Sequence, residues 1–264
     1  MMKVRAVLFD LDETLIEEES SNDASALAAC EIAVARHGID RASLLTAMRQ
    51  RSRELWRAGP MFDYCREIGI SPREGLWGSF IGDGAMLARL RDWSADYKIR
   101  AWSNALRDLE IDDDALAAEL AQFFERDRRA RHVVFPETLH VLDELKKHYK
   151  LAMITNGAID IQRDKIHGAK LADFFDPIII SGELGVGKPN PKLFQLAMER
   201  LAVKPDQCVM IGDSLNRDIA GASAVGIRTI WLNRFQRKIA NQDPTPDLEL
   251  ADLVALPTIL KPAD

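Results

Sequence analysis

The apolar positions of this chain form short runs that are separated by longer amphipathic stretches. The first run, Val4 to Phe9, is rich in apolar and β-branched residues and stops abruptly at Asp10, which is typical of a strand buried on both faces. Similar runs cover residues 151–155, 178–181, 208–212 and 227–232. Helical patterns lie between them, at residues 137–149, 159–171, 191–201 and 218–225. This alternation predicts an α/β fold with a doubly wound parallel sheet, whose strands carry functional groups at their carboxyl ends.

One long interval breaks the alternation. Residues 16–131 contain amphipathic segments and no convincing strand. The segments cover residues 23–37, 41–57, 61–68, 76–90 and 112–131. In the first of them, Asp23 and Gly38 are typical helix start and stop residues. We therefore expect an inserted α-helical domain at residues 17–131, and a core domain made of residues 1–16 and 132–264.

The composition narrows the classes of partner. The chain has 264 residues, 47% of them hydrophobic and 29% charged, which is the balance of an ordinary soluble globular protein. A net charge of −6 gives no overall attraction to nucleic acid or to an anionic membrane, so we expect a small molecule held by local groups. The three cysteines include no C-x-x-C pair, and no long apolar segment is present, which favours a cytoplasmic protein. The pattern gives no indication of oligomeric state.

Two acids follow the first strand directly. Asp10 and Asp12 stand at positions i and i+2, so in an extended chain they lie on the same side, as a nucleophile and an acid/base require. An isolated D-x-D is more often a turn or a helix cap. The rest of the chain favours the catalytic interpretation.

A second pair of acids, Asp213 and Asp218, follows the apolar run 208–212. If this strand and the first one are central neighbours, they bring four carboxylates together, and these would repel one another strongly without a cation. A hard ion with oxygen ligands, most simply magnesium, is therefore implied. Asp218 fits equally well as the N-cap of a following helix, which is compatible with a position beside the metal.

Two further strand ends offer groups for binding a phosphate. Thr155 and Asn156 close the second run and provide a hydroxyl and backbone amides at a helix entrance, although such a sequence is often only a turn. The run 182–188 matches a nucleotide-binding phosphate loop as far as Lys188, but Pro189 has neither the hydroxyl nor the amide proton that such a loop needs. Lys188 then remains either as a cation that balances a carboxylate and holds a phosphoryl oxygen, or as a solvated lysine.

In chain order, these motifs resemble the four signature motifs of the haloacid dehalogenase (HAD) superfamily. The matching pieces are DLDET at residues 10–14, the strand end at Thr155 and Asn156, the pair Lys188-Pro189, and GDSLNRD at residues 212–218. The resemblance implies a Rossmann-like core with a helical cap in the long insertion after the first motif. The stretch 155–233 is especially similar to the subgroup that contains N-acylneuraminate-9-phosphatases and pyrimidine nucleotidases.

The resemblance also implies a reaction, the hydrolysis of a small metabolite phosphate through an aspartyl-phosphate intermediate. Asp10 would attack phosphorus, and Asp12 would protonate the leaving oxygen and then deprotonate the attacking water. Thr155 and the Asn156 amide would bind the phosphoryl group, and Lys188 would neutralise its charge. These roles follow from the resemblance and not from the spacing of the residues.

The same resemblance assigns the magnesium ligands. They would be the Asp10 carboxylate, the Asp12 backbone carbonyl and Asp213, with Asp218 nearby. One departure from the pattern is Arg217, which stands where the subgroup often has asparagine and leaves the contacts of Asp218 open.

Three alternatives share the predicted fold. A 2-haloacid dehalogenase would lack the second acid and need no magnesium, so Asp12 argues against it. A sugar-phosphate mutase would share both aspartates and differ in how its cap retains the intermediate. A non-catalytic binding module would be expected to have lost part of the site, and all four motifs are present here.

Overall fold

The computed structural model of the protein describes residues 4–260, and residues 1–3 and 261–264 of the predicted core domain lie outside the described range. The described residues form two compact units. The sheet unit contains residues 4–17, 133–156 and 169–260, and the helical unit contains residues 18–132 and 157–168.

The sheet unit is built on six strands, and every neighbouring pair of them is parallel. The strands are β1 (Ala6–Phe9), β2 (Lys150–Thr155), β3 (Ile178–Ile180), β4 (Cys208–Gly212), β5 (Arg228–Leu232) and β6 (Leu248–Leu250). Their order is β3-β2-β1-β4-β5-β6, which is the order of a doubly wound Rossmann-like sheet. The predicted fold class is confirmed, and β1 lies in the centre between β2 and β4.

Strands β1 to β5 coincide with the apolar runs in the sequence, whereas β6 was not predicted. It has three residues, pairs with β5 and carries the exposed Glu249 in its middle. A short edge strand needs no continuous apolar run, because much of it faces solvent. The sequence pattern therefore contains no signal for it.

The described helices are, in chain order, α1 (Glu18–His37), α2 (Arg41–Arg57), α3 (Phe62–Ile68), α4 (Pro72–Gly75), α5 (Ala85–Arg107), α6 (Asp114–Ala130), α7 (Thr138–Lys146), α8 (Ile159–Gly168), α9 (Ser181–Leu184), α10 (Pro191–Leu201), α11 (Ala220–Ala224) and α12 (Leu256–Ile259). Shorter turns of 3₁₀-helix cover Ala172–Phe174 and Pro205–Gln207, and a π-helix covers Leu215–Ile219. Within residues 4–260, no helix combines the length and the apolar character that crossing a lipid bilayer requires.

Helix α10 shows how the local sequence builds the sheet unit. It begins where the Asn190 side chain accepts a hydrogen bond from the Lys192 N–H and Pro191 occupies the first turn. Its apolar positions recur every three or four residues, so they share one face. Phe194 on that face is fully buried in a core cluster with Leu8 of β1 and Ile154 of β2. The helix therefore covers the centre of the sheet.

In the helical unit the predicted boundaries hold for α2 and, within two residues, for α3 and α6, but they fail for α1 and α5. Helix α1 begins at Glu18, five residues before Asp23, so Asp23 is not its cap. The helix predicted at residues 76–90 is wrong, because α5 begins only at Ala85. Gly82 and Gly84 have φ values of 148° and 130°, which no helix can contain.

The two units differ from the predicted domains in one element. The sequence assigned α8 to the core domain because it lies between two strands in the chain. In the structure, residues 157–168 belong to the helical unit, where Ala158 and Ile161 are buried in its apolar core. The interpretation of the two units as a core and a cap stays a prediction.

A buried ion-pair network lies inside the helical unit. The Lys165 Nζ on α8 is 2.8 Å from Glu74 Oε1 and 3.3 Å from Glu18 Oε1, and Lys165 is fully buried. Arg128 on α6 pairs with the other oxygen of Glu18, and Gln162 donates to Glu74 at 3.1 Å. Burial by itself favours a protonated Glu74, but Lys165 outweighs it and lowers the pKa of Glu74. The network thus links α1, α4, α6 and α8 by compensated charges.

We expect Lys165→Met to lower the free energy of unfolding by about 3–5 kcal/mol, because two buried carboxylates lose a counter-charge. Arg36→Met is the matched control: it breaks the exposed pair with Glu119 and should cost about 1 kcal/mol or less. Urea unfolding followed by circular dichroism measures both. Equal effects of the two substitutions would contradict a stabilising role of the buried network.

Candidate active site

The carboxyl end of β1 places Asp10 at the middle of the sheet edge. Its backbone N–H donates to the Ile211 carbonyl at 3.0 Å, so the ladder with β4 continues one residue past Phe9. Asp10 is only 7% exposed. The Thr14 hydroxyl donates to Asp10 Oδ2 at 3.2 Å. The turn after β1 therefore orients the carboxylate that the same strand delivers.

Lys188 supplies a counter-charge from a distant part of the chain. Its Nζ lies 2.5 Å from Asp10 Oδ1 and 2.6 Å from Asp218 Oδ1, and it donates to the Ile154 carbonyl at 2.7 Å. Asn156 holds the lysine backbone, because its Oδ1 accepts from the Lys188 N–H at 2.7 Å and its Nδ2 donates to the Lys188 carbonyl at 3.0 Å. The solvated lysine that the sequence left open is wrong, since Lys188 is 5% exposed.

The segment after β4 brings two further acids to this edge. Asp213 follows the strand directly, and Trp231 Nε1 donates to its carbonyl at 2.8 Å. Asp218 lies inside the π-helix, where its Oδ2 accepts from the Ser214 N–H at 3.0 Å. Gly212 permits this approach, since a Cβ there would lie 2.3 Å from Asp218 Oδ2. The alternative that Asp218 caps the next helix is therefore wrong.

Burial and mutual repulsion shift the pKa values of these groups. Burial raises the pKa values of Asp10, Asp213 and Asp218, and in each case one neighbouring aspartate adds to the rise. Burial alone would favour the neutral amine of Lys188, but Asp10 and Asp218 outweigh it and raise the lysine pKa. The single positive charge of Lys188 therefore lies among more carboxylates than it can neutralise.

Three of the carboxylates are placed to share one cation. Asp10, Asp213 and Asp218 each offer an oxygen, and these three atoms lie within 4.8 Å of one another. Carboxylate oxygens are preferred ligands of hard divalent cations such as magnesium. The cations near these three carboxylates do not neutralise them fully, so the donor set fits magnesium. The Asp12 side chain is not part of this group of three, and its backbone carbonyl as a ligand stays a prediction.

Asp12 and Thr155 occupy neighbouring positions on the same edge. Asp12 is partly exposed and forms a β-bridge with Ile16, and Glu13 between them has φ 57°. Thr155 is the last residue of β2, next to β1, and is fully buried. The roles of Asp12 and Thr155 in a reaction stay predictions, as do those of Asp10, Asn156, Lys188, Asp213 and Asp218.

Two side chains to which the sequence analysis gave no role contact the carboxylates of the site. Thr14 lies in the first motif, but nothing in the sequence showed that its hydroxyl would donate to Asp10. Arg237 pairs with Asp213 at 2.9 Å from the loop after β5. No motif marks this arginine, so only the structure identifies it.

We expect Lys188→Met to destabilise the protein by about 3–5 kcal/mol near pH 8 in the presence of a chelator, because Asp10 and Asp218 lose their shared counter-charge. The pKa values of both acids would rise further. An acid whose folded-state pKa is raised penalises folding above that pKa, and the penalty vanishes as pH falls to the ordinary value of 3.8. The deficit relative to wild type should therefore shrink towards pH ~5.

Thermal unfolding across this pH range measures the deficit, with Lys192→Met, at an exposed position on α10, as the control. A deficit that does not change with pH would contradict the role of Lys188 as a counter-charge.

Comparisons with known proteins identify the family of this chain. A family model described as haloacid dehalogenase-like hydrolase matches residues 4–226. A phosphoserine phosphatase of Thermus thermophilus is 34% identical over 253 residues, which is 95% of this chain and 96% of that protein. An N-acylneuraminate-9-phosphatase of Mus musculus is 26% identical over 268 residues, with 100% and 96% covered.

A solved structure supports the fold. The HAD-hydrolase YfnB of Bacillus subtilis, whose structure is described as bound to magnesium, matches with a TM-score of 0.68 at 23% identity, over 98% of this chain and 99% of that one. At this identity the likeness concerns the fold alone. With the family match over most of its length, the chain belongs to the haloacid dehalogenase-like hydrolases, and it is an enzyme whose relatives over nearly its whole length are phosphatases.

Proposed function

We propose that this protein is a magnesium-dependent phosphomonoester hydrolase that acts on a small phosphorylated metabolite through an aspartyl-phosphate. The observation that carries the proposal is the buried Asp10 carboxylate at the end of the central strand, in contact with Lys188 and grouped with two further acids. Such a carboxylate is a suitable nucleophile when positive charge on both sides attracts an anionic phosphoryl group to it. The phosphatase relatives support the same chemistry.

Asp10 acts as the nucleophile in the first half of the reaction. One of its carboxylate oxygens attacks phosphorus, the bond between phosphorus and the ester oxygen breaks, and the phosphoryl group is transferred to Asp10. Asp12 acts as the general acid and gives its proton to the departing oxygen. The dephosphorylated product therefore leaves as a neutral alcohol.

Water completes the second half. The Asp12 carboxylate takes a proton from a water molecule, whose oxygen attacks the phosphorus of the aspartyl-phosphate. The bond between phosphorus and the Asp10 oxygen breaks, which releases inorganic phosphate. Asp10 returns as a carboxylate and Asp12 is again protonated, so both residues are ready for the next turnover.

Three groups would position the phosphoryl group. The Thr155 hydroxyl and the Asn156 backbone N–H would donate to its oxygens, and the Lys188 ammonium would neutralise its charge. The Asn156 side chain already bonds both backbone groups of Lys188, so its backbone amide is the group that we assign to the substrate. Asn156 thus has two tasks, because it also holds the lysine in place.

The acidic residues would hold magnesium. We assign the Asp10 carboxylate, the Asp12 backbone carbonyl and Asp213 as ligands, with Asp218 beside them. A magnesium ion there would contribute positive charge at the phosphoryl oxygens. Asp218 also contacts Lys188 at 2.6 Å, so it would help to place the lysine while it stands beside the ion.

The proposed substrate is a small polar metabolite phosphate, by analogy with relatives named for phosphoserine and N-acylneuraminate 9-phosphate. We propose that the helical unit acts as the cap that selects among such esters.

We also propose that the protein is cytoplasmic. Cys30, Cys65 and Cys208 are buried free thiols, and burial raises the pKa of each to about 12. That all three are free and not paired in disulfides suits a reducing compartment.

We expect magnesium-dependent release of inorganic phosphate from at least one of phosphoserine, N-acylneuraminate 9-phosphate, nucleoside monophosphates and sugar phosphates. Asp10→Asn should abolish it, because the amide keeps the shape but loses the nucleophile and a metal charge. A phosphate-release assay with magnesium or with chelator measures both, and circular dichroism shows whether the variant is folded. Turnover by Asp10→Asn, or release of halide from a 2-haloacid without metal, would overturn the proposal.

Asp12→Asn should separate the two half-reactions. The nucleophile remains, but proton transfer is lost, and this transfer typically contributes about 10²–10⁴-fold. An aryl phosphate with an acidic leaving group should still phosphorylate Asp10, while hydrolysis of the intermediate slows. Rapid-quench mass spectrometry should therefore find one added phosphoryl group on Asp12→Asn and none on Asp10→Asn. Unslowed turnover would contradict the role of Asp12.

A further inference from the structure

Arg237 reaches the candidate cation site from the loop after β5. Its Nη2 donates to Asp213 Oδ2 at 2.9 Å. Asn233 holds the Arg237 backbone: the Arg237 N–H donates to Asn233 Oδ1 at 2.8 Å, and Asn233 Nδ2 donates to the Arg237 carbonyl at 2.9 Å. The Arg237 side chain is nevertheless 50% exposed. The loop is therefore anchored, while the half-exposed guanidinium contacts Asp213 and lies 5.7 Å from the centre of the Phe235 ring.

A second arginine of this loop, Arg234, is much more buried and has other partners. Arg234 is 9% exposed at its side chain and lies 3.6 Å above the Phe135 ring. It pairs with Glu137 at 2.8 Å and donates to the Thr14 carbonyl at 2.9 Å. These contacts hold the turn after β1. Arg237 instead contacts a carboxylate of the cation-binding group.

The charge of the site gives Arg237 a specific consequence. Asp213 is one of three acids whose oxygens lie within 4.8 Å of one another. The three acids of this group are balanced in part by Lys188 and Arg237, which leaves a formal charge of −1. Without Arg237 the formal charge would be −2, and the attraction for a cation would be stronger.

We infer that Arg237 sets the affinity of this site for magnesium by competing with the ion for the Asp213 carboxylate. The inference rests on the magnesium site of the proposed function. The ion and the guanidinium bind the same carboxylate, and two cations a few ångströms apart repel each other. Binding of magnesium would therefore weaken the pair between Arg237 and Asp213.

Isothermal titration of the purified full-length protein with magnesium chloride tests the inference. Arg237→Gln should lower the Kd for magnesium roughly three- to tenfold at low ionic strength, while Arg237→Lys should stay close to wild type. The difference should shrink in about 0.5 M sodium chloride, because the arginine is half exposed and its charge is screened. Arg228→Gln is the matched control. It removes an equal charge from the exposed amino end of β5, the strand that precedes the Arg237 loop.

The possible outcomes separate this inference from the proposed function. If wild type binds magnesium and Asp213→Asn does not, the result supports the proposed magnesium site. An unchanged or weaker affinity of Arg237→Gln would then overturn the competition alone, and a weaker one would show that Arg237 only positions Asp213. If wild type does not bind magnesium, both ideas fail. Arg237→Met, which keeps the apolar stem, gives a second neutral variant if the glutamine protein does not fold.

Discussion

The buried contact between Asp10 and Lys188 is the interaction on which the rest of the site depends. The two residues are 178 positions apart in sequence, yet their charged atoms lie 2.5 Å apart with almost no exposure to solvent. Two charges withdrawn from water are costly unless each has partners with good geometry. Thr14 supplies one for Asp10, while Asp218 and the Ile154 carbonyl supply them for Lys188. The neighbouring strands must therefore keep their relative positions for the charges to remain compensated.

The sheet topology makes this convergence possible. Because β1 lies between β2 and β4 and all three strands are parallel, the residues that follow each strand meet at one edge. Asp10 follows β1, Asn156 follows β2, and Asp213 follows β4. Lys188 comes from none of these strands. The position of Lys188 depends on the two hydrogen bonds between its backbone and the Asn156 side chain. These bonds explain why the Asn156 side chain is buried.

The two units differ in how their buried charges are balanced. In the helical unit, Glu18 and Glu74 are matched by Lys165 and Arg128, so the network is balanced and serves to hold four helices together. In the sheet unit, the acids outnumber the cations, and the pKa values of the acids are raised. An uncompensated buried cluster costs stability, and such clusters are characteristic of functional sites. The imbalance is thus a physical reason, independent of the family, to place the chemistry at the end of β1.

The sequence by itself determined which residues form the five apolar strands β1 to β5 and which polar residues follow them as candidates for chemistry. A buried strand needs a continuous apolar run, and Asp10, Thr155 and Asp213 stand where such runs stop, so they were identified without coordinates. Helix α10 was also predicted, because its cap, its proline and its apolar spacing are all local signals.

The tertiary structure decided everything that depends on partners distant in the chain. Lys165 and Glu74 are 91 positions apart, and no local pattern shows that they pair, nor that α8 belongs to the helical unit. The same holds for Arg237 and Asp213, and for the burial of Lys188 against Asp218. Local propensity and apolar spacing act over a few residues, whereas charge compensation acts through space. Strands and helices can therefore be predicted from the printed sequence, whereas the pairing of charges requires the folded chain.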